Sequence, residues 1–277
     1  MLNFPSLPPH MRQASEKQKG KNWFVELLIF FLVFLIASIL SGFLMIPGYV
    51  IAVISDSSIM ELFLSGASSV EEYSRIAALI ESSLPVTLSM LFANAGLILI
   101  AILFCVIFQK RKVSSMGFIK EKAGTQYLIG MGIGFLLFGA VTLINIMTGA
   151  MTIEGISKNF SFGVFLLFAL GFAIQGMAEE VLCRGYFLVS VSRRYSVLTA
   201  VLRDSLVFSP LHLANPGVSV AAIVNIVLFG VVLSLYFLRT GNIWGIGAIH
   251  SVWNFVQGNV FGMEVSGLDL SCTRFQS

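Results

Sequence analysis

Charged residues are scarce in this chain. Only 11% of its 277 residues are Asp, Glu, Lys or Arg, whereas 57% are hydrophobic and the mean hydropathy is +0.91. A soluble domain of average composition is about one quarter charged. The composition therefore argues against an ordinary soluble domain and predicts an all-α, polytopic bundle of transmembrane helices embedded in a lipid bilayer.

Positive and negative residues are also nearly equal in number. The formal net charge is +3, and the basic residues are spread over the connections between apolar runs. A nucleic-acid partner would require a basic patch or groove that follows the phosphates. The sequence thus predicts no nucleic-acid partner and a multi-pass protein of the cell membrane.

Cysteine and the common catalytic motifs are absent or few. The three cysteines, Cys105, Cys183 and Cys272, are scattered, which favours small buried side chains over a disulfide framework or a metal centre. The chain has no Gly-x-Ser-x-Gly, no His-Glu-x-x-His and no Gly-rich phosphate loop before a helix. We expect no cofactor and no resident metal.

Long apolar runs dominate what remains. A span needs about 20 apolar residues, and seven runs qualify, with an eighth span or half-helix left open. They cover residues 24–50, 84–108, 127–148, 160–192, 197–213, 218–238 and 242–261. The run after Trp23 is too long for a signal peptide, so we interpret it as the first span.

The distribution of Lys and Arg predicts the orientation. With a cytoplasmic N-terminus, inside segments hold twelve basic residues and outside segments hold only Arg75, Lys158 and Arg274. This bias fits the positive-inside rule. The inside set is Arg12, Lys17, Lys19, Lys21, Lys110, Arg111, Lys112, Lys120, Lys122, Arg193, Arg194 and Arg239.

Composition divides the chain into four parts. Residues 1–22 form a polar, basic N-terminal segment, and residues 23–159 hold the first spans with an acidic outer loop carrying a short surface helix. Residues 160–261 form the predicted core, which holds the last four apolar runs and the polar residues inside them. Residues 262–277 form a polar tail.

Two adjacent glutamates lie where charge is least tolerated. Glu179 and Glu180 follow the apolar run 160–177, and a charge in hydrocarbon costs about 2.5–3.5 kcal/mol on insertion scales. Arg184 follows Glu180 by four residues, the spacing at which two helical side chains meet. Arg184 is therefore able to neutralise Glu180. The two residues form either a plain structural ion pair or part of a site.

Residue counting brings other polar groups to the same depth. Glu179 lies 16 residues before Tyr195, and His212 lies 17 residues after it. In a helical hairpin that turns at Tyr195, both residues would lie about 24 Å from the turn along their helices. His250 and Asn254 share one helix face at a similar depth. Each of these residues alone is a common helix-packing group, but together they indicate a site. Asp204 is expected to pair with Arg203 at the membrane interface, without a chemical role.

These residue types suit activation of water. Glu179 would act as the base, His212 would help to position the water, and His250 with Asn254 would donate hydrogen bonds to an oxyanion. The predicted reaction is amide hydrolysis inside the membrane. Zinc held by Glu179, His212 and His250 is the competing mechanism, and the neighbouring Arg184 disfavours a dication there.

The same residues resemble the CPBP family of intramembrane glutamate proteases, the CAAX prenyl protease 2 and bacteriocin-processing group. The resemblance rests on Glu-Glu-x-x-x-Arg at 179–184, Phe-x-x-x-His at 208–212 and His-x-x-x-Asn at 250–254, in that order. It implies a metal-independent endopeptidase with Glu179 and His212 activating water, His250 and Asn254 forming the oxyanion hole, and supporting roles for Glu180 and Arg184. It also implies a membrane-embedded or membrane-associated peptide or protein substrate.

Two other functions fit parts of the pattern. Bacterial relatives of that family include bacteriocin self-immunity proteins, so a non-catalytic membrane scaffold or immunity protein of the same fold is the alternative. A proton-coupled transporter would also use buried glutamates, but the inverted repeats and paired broken helices typical of such transporters are not evident in the sequence.

Overall fold

The structure is a computed structural model, and it confirms the all-α fold class. It describes residues 6–17, 19–66, 69–153, 155–156, 160–213, 215, 218–265 and 275–276. Besides helices, it contains one antiparallel pair of two-residue strands, β1 (Gly155–Ile156) and β2 (Phe275–Gln276).

The described residues contain twelve α-helices. The first six are α1 (Pro9–Lys17), α2 (Trp23–Ser55), α3 (Ser57–Ser65), α4 (Val70–Glu81), α5 (Leu84–Ala93) and α6 (Ala95–Ile107). The next six are α7 (Ala123–Met147), α8 (Phe162–Glu180), α9 (Val189–Ser192), α10 (Val197–Phe208), α11 (Val220–Thr240) and α12 (Ile243–Phe255).

Short non-α turns join or extend these helices. Two are 3₁₀ turns, Val113–Met116 and Ser209–His212. Two are π-helical, and we call them the first π segment (Val181–Leu188) and the second π segment (Val256–Val260). A π segment widens the helix by one residue per turn, and such segments occur frequently at functional sites.

Five helical stretches are long and apolar enough to cross a membrane. They are Trp23–Ser55, Leu84–Ile107, Ala123–Met147, Phe162–Ser192 and Val220–Thr240. The other two predicted spans, 197–213 and 242–261, correspond to the shorter helices α10 and α12 with their extensions. The number of spans and the cytoplasmic N-terminus stay predictions, and Lys158 and Arg274 lie outside the described residues.

Side-chain caps set where the helices of the predicted core begin. Ser161, Ser196 and Ser219 each accept a backbone N–H of the first turn of α8, α10 and α11. Asn242 caps α12 in the same way. Serine and asparagine are favoured there because their oxygens satisfy amides that have no partner inside the helix. The turn predicted near Tyr195 is confirmed, since α9 ends at Ser192 and α10 begins at Val197.

Other local expectations have mixed outcomes. The loop predicted to lie outside carries two helices, α3 and α4, where one was expected, and the N-terminal polar segment contains α1, which was not expected. Met11 of α1 is fully buried, so this segment packs on the bundle. Cys105 and Cys183 are buried and free, as predicted. Cys272 and most of the tail 262–277 lie outside the described residues.

Glycines allow α7 to approach α12 closely. A Cβ placed on Gly134 would lie 2.6 Å from the carbonyl oxygen of Ile249, and one on Gly130 would overlap the carbonyl oxygen of Gly245. Small residues spaced four apart commonly form such contacts between membrane helices. This packing supports the helix that carries His250 and Asn254.

We expect Gly134→Val to destabilise the protein by about 1–3 kcal/mol, the usual cost of overpacking a close contact. Gly132→Val on the same helix is the matched control, because a Cβ at Gly132 meets no atom within 4 Å. Thermal unfolding in detergent measures both. Equal unfolding temperatures for the two variants would contradict the proposed α7–α12 contact.

Candidate active site

Three helix ends bring the predicted site residues together. Glu179 and Glu180 are the last residues of α8, and His212 ends the 3₁₀ turn that follows α10. Pro210 lies inside that turn, two residues after α10 ends, where its missing backbone N–H cannot continue the α-helix. His250 and Asn254 lie on one face of α12.

Glu179 faces both histidines. Its Oε2 atom lies 3.8 Å from Nε2 of His212 and 3.7 Å from Nε2 of His250. Both distances exceed that of a direct hydrogen bond. Oε2 is buried and accepts no hydrogen bond from the described residues, so it is an available acceptor between two imidazoles.

His212 and its neighbour Phe208 form the second wall of this site. The ring of Phe208 packs edge-on against His212, with centroids 4.8 Å apart. Nδ1 of His212 lies 3.1 Å from the carbonyl oxygen of Phe208. A donated Nδ1–H leaves Nε2, which faces Glu179, as the acceptor of the neutral imidazole.

Glu180 points the other way and is fully buried. Its Oε1 atom lies 3.0 Å from Arg184 and 2.8 Å from Nδ1 of His250. The first π segment carries Arg184, and all eight of its residues are buried. The two adjacent glutamates therefore have different partners: Glu179 faces open imidazole nitrogens, whereas Glu180 joins a guanidinium to His250.

The predicted pairing of Asp204 with Arg203 was wrong. It does not pair with Arg203 at the interface; its Oδ2 atom lies 3.2 Å from Nε of Arg184, and both side chains are fully buried. Ser234 donates to the same carboxylate at 3.1 Å. Arg203 instead lies over the ring of Tyr195, 4.1 Å from its centroid. Adjacent helical residues point to different faces, so Asp204 turns inward while Arg203 turns outward.

Gln175 is a site residue that the sequence analysis missed. Its amide nitrogen donates to Oε1 of Glu179 in a short hydrogen bond, and its carbonyl oxygen accepts from Asn254 at 2.9 Å. Gln175 thus joins the predicted base to a predicted oxyanion donor on another helix. Its spacing of four residues before Glu179 was the available signal, since residues at that spacing share a helix face.

Two cavities flank these residues. One, of about 290 Å³, is lined by His212, Phe229, His250, Trp253 and Asn254. The other, of about 400 Å³, is lined by Glu179 and by apolar side chains that include Leu97 and Phe172. Because His212 lines both, the carboxylate and the imidazoles lie between a polar cavity and an apolar one, as a site for an extended, partly apolar substrate requires.

Within the described residues, no group of three His, Cys, Asp or Glu side chains is arranged to hold a metal ion. The site instead holds a guanidinium one helical turn beyond the glutamates. A nearby cation raises the cost of placing a second one. The neighbouring guanidinium therefore disfavours zinc at Glu179, His212 and His250.

Comparison with known proteins matches residues 161–256 to one family model, described as Rce1-like, type II CAAX prenyl endopeptidase. The match spans Glu179, Glu180, Arg184, His212, His250 and Asn254. This part of the chain is therefore similar to the Rce1-like family, and we refer to residues 161–256 as the Rce1-like domain. The comparisons with curated proteins and with solved structures each gave no match.

The Rce1-like domain agrees with the resemblance drawn from the three motifs and supports protease activity of the CAAX endopeptidase class in general. Together with five apolar helices of spanning length, it makes this a membrane protein with a protease-type domain. The domain begins at the cap of α8 and ends as α12 passes into the second π segment.

Proposed function

We propose that this chain is an intramembrane endopeptidase in which Glu179 activates the water that attacks a peptide bond. One observation carries the proposal: a buried carboxylate oxygen without a hydrogen-bond partner among the described residues, facing two imidazole nitrogens at 3.8 and 3.7 Å. A general base needs a free acceptor within reach, directly or through one water, of the proton it removes.

The steps follow from this geometry. Oε2 of Glu179 takes one proton from water while His212 holds the water by a hydrogen bond. The water oxygen forms a bond to the carbonyl carbon, and the carbonyl electrons move onto oxygen. When this tetrahedral oxyanion collapses, the C–N bond breaks and the leaving nitrogen takes the proton from Glu179. One water is consumed for each bond cleaved.

His250 and Asn254 are the proposed donors to the oxyanion. Both line the polar cavity beside Glu179. Asn254 uses its amide group as donor to Gln175, and its second amide N–H is then available to the substrate. For His250 to donate from Nε2, both ring nitrogens carry protons, and Glu180 is placed to accept from Nδ1. Such pre-positioned donors typically contribute more than any other single effect in acyl transfer.

Glu180, Arg184 and Asp204 are proposed as positioning residues. They form a buried chain that runs from Asp204 through Arg184 and Glu180 to Nδ1 of His250. None of these three faces the open oxygen of Glu179. Their role is to hold the His250 ring in one orientation, which matters because small misplacements of a catalytic group cost large factors in rate.

The proposed substrate is a membrane-embedded or membrane-associated peptide or protein, and the proposed location is the cell membrane with several passes. The apolar cavity beside Glu179 supports the first part, because its lining suits an apolar flanking segment. The five apolar helices of spanning length support several passes.

The test is cleavage by the full chain reconstituted in liposomes, with one peptide supplied with and without a prenyl thioether. Cleavage of either peptide supports the proposal, and cleavage of the prenylated one alone assigns the substrate class. Persistence of cleavage after treatment with a strong zinc chelator supports the metal-independent mechanism. Chelator-sensitive cleavage restored by zinc would overturn that mechanism. Absence of cleavage, with specific capture of a partner that survives Glu179→Ala, would favour the scaffold alternative.

Gln175→Leu should lower kcat by up to about 10²-fold with little change in KM, because the base and Asn254 lose the residue that orients both. Gln257→Leu is the matched control, since Gln257 lines the neighbouring polar cavity but donates to the backbone of Glu264. Steady-state kinetics and thermal unfolding should be measured on both variants. An unchanged kcat for Gln175→Leu would remove Gln175 from the site.

A further inference from the structure

A second polar cavity lies away from the candidate active site. It has a volume of about 500 Å³ and lies between α1 and the connection that follows α6. Three consecutive basic residues, Lys110, Arg111 and Lys112, line it together with His10, Gln109 and Ser115. Among the described lining residues there is no Asp or Glu. We call this the basic cavity.

Arg111 is buried in its wall, with only 5% of its surface exposed. Its guanidinium donates to neutral acceptors: the side chains of Gln109, Ser115 and Ser190 and the carbonyl oxygens of Gly185 and Tyr186. No carboxylate of a described residue pairs with it at 4.0 Å or less. Hydrogen bonds to neutral groups hold the guanidinium without a directly paired carboxylate, whereas buried charges are ordinarily paired.

The rim of the basic cavity adds two exposed positive charges and a ring nitrogen that lacks a hydrogen-bond partner among the described residues. Lys110 and Lys112 are exposed, and Lys110 adopts a φ of 53°, which is uncommon for a residue other than glycine. Nε2 of His10 is buried without a hydrogen-bond partner among the described residues. A phosphate group satisfies that atom in either protonation state, since a protonated imidazole donates to it and a phosphate hydroxyl donates to a neutral one.

We propose that the basic cavity binds a phosphate group, supplied either by an anionic lipid headgroup or by a soluble phosphate. The site lies on the side of the bundle where the positive-inside rule places the cytoplasm, next to the lipid headgroups of that leaflet. Two exposed ammonium groups and one buried guanidinium supply the charge that attracts an anion. The walls contribute amide and hydroxyl groups from Gln109 and Ser115.

The basic cavity also touches the Rce1-like domain. Arg111 bonds the carbonyl oxygens of Gly185 and Tyr186, which directly follow Arg184 in the first π segment. Arg111 therefore has a structural role that a binding experiment must leave intact. The substitutions are made at Lys110 and Lys112, whose side chains lie at the rim.

The experiment measures binding to the full chain in detergent, by native mass spectrometry and by titration. Dioctanoyl phosphatidylglycerol and inorganic phosphate are the two probes, and dioctanoyl phosphatidylcholine is the zwitterionic comparison. We expect Lys110→Glu/Lys112→Glu to weaken binding of the favoured probe at least tenfold. Lys120→Glu/Arg239→Glu is the matched control, since it makes the same charge change at exposed residues of the same end of the bundle that are not among those lining the basic cavity.

The outcomes separate the two sources. Selective binding of phosphatidylglycerol assigns a lipid headgroup, whereas binding of inorganic phosphate at comparable affinity assigns a soluble phosphate. If the charge-reversal variant fails to fold, Lys110→Ala/Lys112→Ala should still weaken binding. Equal weakening by the control pair, equal binding of phosphatidylcholine and phosphatidylglycerol, or no binding of either phosphate probe would overturn the proposal. Peptide cleavage is not the readout, so this result stands apart from the test of the proposed protease function.

Discussion

Glu179→Gln should abolish peptide cleavage, with a loss of about 10²–10⁴-fold or more, while the helix bundle stays folded. Glutamine has nearly the same shape but cannot take a proton from water. Because the Glu179 side chain is about one fifth exposed and its Oε2 has no hydrogen-bond partner among the described residues, the amide should fit without leaving a charge unpaired. Initial rates of cleavage in liposomes and the unfolding temperature in detergent measure the two effects.

Glu61→Gln is the matched control for that prediction. Glu61 is exposed on α3, so the same chemical change there should leave cleavage unchanged. Glu180→Gln supplies a second comparison, and we expect a smaller loss of kcat because a glutamine oxygen still accepts from Nδ1 of His250. Full activity in Glu179→Gln, or a greater loss in Glu180→Gln, would reverse the roles assigned to the two glutamates.

Arg184→Met should lower the free energy of unfolding by about 3–5 kcal/mol, the cost of breaking a buried ion pair by removing one partner. The guanidinium lies 3.0 Å from Glu180 and 3.2 Å from Asp204, and all three side chains are fully buried. Its removal leaves two carboxylates without their cation in the interior. The ring of Phe208 also loses the guanidinium that lies 4.4 Å from its centroid. Unfolding in detergent measures the change.

A triple variant tests whether charge is the reason. Glu180→Gln/Arg184→Met/Asp204→Asn removes both carboxylate charges together with the guanidinium, and replacing a whole buried charge cluster is often neutral for stability. We expect it to unfold close to the wild-type temperature. Arg239→Met, at an exposed arginine of α11, should change little. If the triple variant is as unstable as Arg184→Met alone, packing rather than charge explains the effect.

The sequence predicted helix positions well where hydropathy decides them. The five longest apolar runs became helices of spanning length, because a backbone in hydrocarbon must satisfy its own hydrogen bonds. Counting 1.5 Å per residue from the turn at Tyr195 placed Glu179 and His212 at one height, and they lie 3.8 Å apart. Depth along a helix depends only on residue number and a known turn.

Rotation about the helix axes and the partners across them could not be derived in the same way. Hydropathy averages over a helix and says little about which of Arg203 and Asp204 turns inward. The pairing of Asp204 with Arg184 required knowing that α10 and α11 pack beside the first π segment. Gln175 was overlooked because a single amide in an apolar run is usually a packing residue.

The amino-acid sequence by itself determined that this is an all-α membrane protein with two adjacent glutamates in an apolar region, and it indicated which histidines could meet them. Those properties follow from composition and from regular helix rise. Only the tertiary structure decided that Glu180 also bonds His250 and that Gln175 bonds Glu179, because those contacts depend on which side chains neighbouring helices bring within a few ångströms. Contacts between helices depend on close packing of whole surfaces, which local sequence patterns do not encode.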